Sequence, residues 1–124
     1  MSRDHTKLPV FQKADALVLE VFRRTENLPA ASGIAGTLGP VPGLREELRS
    51  QTLHAVCAIV DSCLPMRQKA DFAHCMDMSL GDFIVARYKA SVAVRLGLIE
   101  NGADLIARFD EVVTELNDIV SKAE

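Results

Sequence analysis

The sequence predicts an all-α protein, an up-and-down four-helix bundle, and three observations carry that prediction. Leu105, Ile106, Phe109, Val112, Val113, Leu116, Ile119 and Val120 recur at helical spacing with mostly polar residues between them, which is one apolar face of a helix. Val10, Ala14, Leu17, Val18, Val21 and Phe22 repeat the pattern near the N-terminus. Between these segments the chain is punctuated by helix-breaking Gly and Pro, and no segment of useful length alternates with the period of a strand.

Helix one is expected over about 9–26. Pro9 suits a first helical position, where a missing N–H has no partner to lose, and Pro29 lies beyond its end. Asn27 to Gly43 holds Pro29, Pro40, Pro42, Gly33, Gly36, Gly39 and Gly43, a density that excludes a regular helix. It reads as a crossover between helices, with a binding loop or oligomer arm as the alternative. Its glycine spacing is no phosphate loop, since no strand precedes it and no GK[ST] follows. Helix two is expected over about 44–64, with Leu44, Leu48, Thr52, Ala55, Val56, Ile59 and Cys63 as its stripe, widened by Leu53, Cys57 and Val60. Helix three is expected over about 68–96. It is apolar on more than one side, and a second apolar side must be buried somewhere. Phe72, Met76, Leu80, Phe83 and Ile84 are assigned to an interface with another subunit. Gly97 ends the helix, Gly81 within it marks a possible close backbone approach, and helix four is expected over about 102–121.

The length of 124 residues suits one domain with its own core, and 48% hydrophobic residues can fill it. Residues 1–7 are polar and read as frayed, with no signal pattern. No run approaches the roughly 18 apolar residues of a membrane span, so a cytoplasmic protein is expected. Cys57, Cys63 and Cys75, an odd number without CxxC spacing, read as reduced core thiols. A net charge of −3 and 5% aromatics argue against a general nucleic-acid binder. The charge is uneven, however: Arg87, Lys89 and Arg95 lie between Phe83 and Ile99 with no acid among them.

Several short motifs resemble a known group. Leu8-Pro9-Val10-Phe11-Gln12-Lys13-Ala14 follows an LxVxxKA pattern, with Phe22, Thr25, Leu28 and Pro29 after it. Leu44-Arg45-Glu46-Glu47-Leu48-Arg49, Ser79-Leu80-Gly81-Asp82 and Leu96 to Ile99 complete the likeness over about residues 8–120. The chain thereby resembles the four helix bundle protein family. That family includes products of intervening sequences in 23S ribosomal RNA genes and the accessory variability determinants of diversity-generating retroelements. The resemblance implies a bundle assembled into a ring-like homopentamer. For the retroelement branch it also implies binding to RNA and a reverse transcriptase through a basic surface. The chain departs from the family at Ala58-Ile59-Val60-Asp61-Ser62, where the family's Asn is missing, and in its net acidity.

Candidate chemistry is sparse. Asp61 and Asp82 lie on mostly apolar stretches, where facing carboxylates would hold a metal or share a proton; the competing expectation is pairing with Arg49, Arg87 or a helix end. No Glu-x-x-His pair supports a di-metal bundle. His54 and Cys57 are three apart, and His74-Cys75 with Cys63 offers little more, so no metal or other cofactor is expected. No group orients a Cys–His nucleophile. Arg45 and Arg49 share a face of helix two, and Arg87 and Arg95 a face of helix three with Lys89 to the side; all five are candidate phosphate contacts or ion-pair partners. The expectation is a non-enzymatic, homo-oligomeric scaffold. The alternative is an accessory protein for RNA or a reverse transcriptase.

Overall fold

Four α-helices in the order α1 (Pro9–Arg24), α2 (Leu44–Ser62), α3 (Lys69–Arg95) and α4 (Gly102–Ala123) account for almost all of the regular structure in the computed structural model, which describes residues 3–28 and 43–123. No strand occurs among the described residues, and none of the helices is long and apolar enough to cross a membrane. Each helix packs on its sequence neighbour, and α1 also meets α4, so the four close a square. Lys13 of α1 meets Glu111 and Glu115 of α4, while Arg24 at the other end of α1 reaches Asn101 and Asp104. The pairs Glu47–Lys89 and Asp61–Cys75 likewise run α2 against α3 in opposite directions.

The ends show why the helices stop where they do. Pro9 opens α1 as expected. Before it, His5–Lys7 form a 3-10 turn, because the Asp4 carboxylate accepts from the Thr6 N–H at 3.0 Å and from its hydroxyl at 2.6 Å. Helix α1 ends at Arg24, two residues early, where the buried Thr25 turns its hydroxyl onto the Val21 carbonyl at 2.7 Å. Helix α2 ends at Ser62, whose hydroxyl binds the Ile59 carbonyl at 2.6 Å. Gln68 and Asp71 cap the start of α3 reciprocally. Gly97 closes α3 at φ +75, with the Leu98 N–H on the Ala93 carbonyl at 2.9 Å, a left-handed termination that favours glycine. Most of the expected 27–43 connection, residues 29–42, lies outside the described residues.

The core is one cluster drawn from all four helices. Phe83 and Phe109 are fully buried and meet edge to face at 6.5 Å between centroids. Ala86, Ala90 and Ala93 line the inward side of α3 and let the neighbouring helices approach. Gly81 has open space where a Cβ would stand, so no backbone approaches it; the close approach is at buried Gly102 instead, where a Cβ would lie 2.4 Å from Val94 Cγ1.

An ion-pair cluster fastens the α1–α4 corner. Arg24 bridges Glu20 and Asp104, and Arg108 also binds Asp104, at 3.0 Å. The Arg24 hydrogen bond holds the Glu20 carboxyl below its usual range; Arg24, then Arg108, does the same to Asp104. Carboxyls lowered in the fold add stability above their unfolded values, near 4, and lose it as pH falls through the lower folded ones. The urea midpoint is therefore expected to drop less between pH 7 and pH 3 in Arg24→Met than in the native chain. Equal drops would contradict the cluster.

Candidate functional site

The side chains with chemical potential fall into separate, internally satisfied groups. Asp61 pairs with Arg67 at 2.6 Å and accepts from the Cys75 thiol at 3.6 Å. Asp82, further along the α2–α3 seam, accepts from Gln51 at 2.8 Å and meets His54 Nδ1 at 3.0 Å. The two carboxylates thus have different partners, and neither uses the expected Arg49 or Arg87. The Arg67 contact keeps Asp61 ionised below the usual range. Burial, reinforced by Asp61, pushes the Cys75 thiol up. That is the opposite of an activated thiolate. Among the described residues no cluster of three or more His, Cys, Asp or Glu is placed to hold a metal ion.

The five basic candidates do not converge on one surface. Arg49 Nε donates to the Thr25 hydroxyl at 2.7 Å, its Nη2 to the Phe22 carbonyl at 2.9 Å, and its guanidinium stacks on the Phe22 ring. Arg45 reaches the Glu26 and Leu28 carbonyls and the Glu46 carboxylate. Both therefore tie the end of α1 to the start of α2. Arg87 crosses to Asp110 of α4, at 2.5 Å, whereas Lys89 crosses the other way to Gln51 and Glu47 of α2. Arg95 stays on α3, on Ser91 and over the Tyr88 ring. The expected basic patch of Arg87, Lys89 and Arg95 is split because Arg87 and Lys89, two residues apart, point to opposite sides of α3, one toward α4 and the other toward α2.

The outward apolar side chains are mostly not the ones assigned to an interface. Met76 and Phe83 are fully buried and Leu80 is 9% exposed, all in the core, and Phe72 packs against that core with Arg3 over its ring. Of the five residues assigned to an interface, only Ile84 is open, at 51%. Other exposed apolar side chains are spread over the molecule, Leu19, Met66 and Tyr88 among them, and one group lies across α2 and the adjoining edge of α3. Leu53 is 46% exposed, Leu64 43% and Met78 46%; Cys57 is exposed too. Cys57, Ala58, Val60, Leu64 and Met78, with His54, Asp61 and Cys75, line a groove of about 460 Å³ between the two helices. Val85, one heptad beyond Met78, extends the same edge. Leu53, Cys57 and Val60, expected to widen the core stripe, lie outside the core: Leu53 and Cys57 are exposed and Val60 is half-buried. Their 4-3-4 spacing with Leu64 was the available signal.

Compared with known proteins, the chain matches no family model and no curated protein.

Proposed function

We propose that this chain is a non-enzymatic scaffold that works by assembling with copies of itself. The observation that carries the reading is the set of apolar side chains along the outer side of α2 and the edge of α3: Leu53, Cys57, Leu64 just past the helix end, and Met78 are exposed, and Val60 among them is half-buried. A continuous apolar face on a small helical domain favours a partner, since covering each such side chain gains on the order of a kcal/mol. Beside it the Cys75 thiol donates to the Asp61 carboxylate, which Arg67 also holds. An accessory role on RNA or a reverse transcriptase draws less support, because Arg45, Arg49, Arg87 and Lys89 are occupied within the chain.

Val60→Asp places a carboxylate in the middle of this face without entering the core. The variant is expected to keep its helical circular dichroism but to sediment at a lower mass than the native chain. Equal masses for the two would overturn the reading.

A further inference from the structure

We propose that a cavity at one end of the bundle, between the segment before α1 and the turn from α2 to α3, binds a phosphate group, free or carried by a small molecule. The cavity measures about 220 Å³, and Arg3, Arg67 and Lys69 stand in its wall with Ser62 and Gln68 and no acid. This one-sidedness occurs in a chain where acids outnumber bases, 17 to 14. Two other polar clefts mix signs: Lys89 lies with Glu46 and Glu47 in one, and Lys13 and Arg108 with Glu111 in the other. One copy of the chain forms the whole cavity, whether or not copies assemble.

Two of the three cations have no acid to answer them. The Arg3 N–H donates to the Cys63 carbonyl at 3.3 Å, and its guanidinium lies 4.0 Å from the Phe72 ring centroid. These contacts fix Arg3 without cancelling its charge, and among the described residues neither Arg3 nor Lys69 has an acidic partner. Arg67 is the exception. Its Nε donates to the Asp61 carbonyl at 3.1 Å and its Nη2 to the Asp61 carboxylate at 2.6 Å, which orients the guanidinium and leaves Nη1 over. The other acids nearest in sequence are also taken, Asp4 by Thr6 and Asp71 by the Gln68 N–H at 2.9 Å. Lys69 is moreover the first residue of α3, a helix of 27 residues, and the positive end of a helix disfavours a cation. Positive charge gathered where local electrostatics oppose it is the kind of conflict that falls at functional sites. A phosphate resolves it: its charged oxygens accept from ammonium and guanidinium donors, and the fork of an arginine matches their geometry.

Amide shifts of the isotope-labelled chain test this as sodium phosphate replaces sodium chloride at fixed pH and ionic strength, which holds screening constant. The expected result is a saturable shift confined to Arg3 and to the stretch from Arg67 to Phe72. Lys69→Gln, at an exposed site with no partner to lose, is expected to keep the fold and to weaken phosphate binding about tenfold, the worth of one charge-assisted contact. Arg95→Gln, at the far end of α3, is expected to leave it unchanged. Glycerol phosphate in place of inorganic phosphate separates the two sources of the group. Tighter binding assigns the cavity to a small phosphorylated molecule, and equal or weaker binding assigns it to free phosphate. Shifts that never saturate or that spread over all the basic residues overturn the proposal, as does equal affinity in the native chain and Lys69→Gln.

Discussion

Phe109→Ala is expected to destabilise the chain by about 3–5 kcal/mol, a large share of the 5–15 kcal/mol typical of a domain. Phe109 is fully buried in α4 and meets Phe83 of α3 edge to face, so the truncation removes both its own contacts and one wall of its neighbour's site. The surrounding helices are held at the α3–α4 corner by the Gly97 termination and the Arg24 cluster, and further along by Lys13 of α1 on Glu111 and Glu115 of α4, so they have little freedom to collapse into the space. Because the two rings share that space, Phe83→Ala with Phe109→Ala is expected to cost less than the two single changes together. Urea unfolding followed by helical circular dichroism, at one fixed protein concentration, measures this. A loss below about 1 kcal/mol for Phe109→Ala would mean that α3 and α4 do not pack as described.

Gly102→Ala is the second large effect, and here two terms oppose. Alanine is the better helix former, by up to about 1 kcal/mol. The added Cβ, however, would stand 2.4 Å from Val94 Cγ1, 2.6 Å from Cγ2 and 3.0 Å from Cβ. A valine is branched at Cβ and cannot swing its methyls away without leaving its rotamer. Overpacking of this kind costs roughly 1–3 kcal/mol, so the steric term wins. The single substitution is expected to be destabilising, and Val94→Ala in the same chain is expected to recover part of the loss. If Gly102→Ala were neutral or stabilising, the approach of α4 to α3 would be looser than the contact distances state.

These two positions also show what was legible in the sequence. Helices α1 and α4 carry apolar residues on one side only, so their inward faces, including Phe109, follow from spacing alone. The left-handed close of α3 at Gly97 was legible for the same kind of reason, a single residue type with a single backbone use. Helix α3 was not. It is apolar nearly all round, and periodicity then cannot say which line of side chains meets the core. Met76, Leu80 and Phe83 were assigned outward although they are the inward line. The partners of Asp61, Asp82, Arg49 and Arg87 were hidden for a different reason. They are set by the register of one helix against another: a shift of one turn would exchange Cys75 or Gln51 for a different neighbour. Gly102 stood in the sequence as an ordinary helix start, and only the position of Val94 across the α3–α4 corner gives it a steric role.

The central claim is that the apolar side of α2 and α3 is covered by further copies of the chain. Size-exclusion chromatography with multi-angle light scattering tests it most directly, with refractive index for concentration because the chain has no Trp and one Tyr. The account predicts a particle of at least two 13.5 kDa chains. A particle of single-chain mass at all concentrations would contradict it.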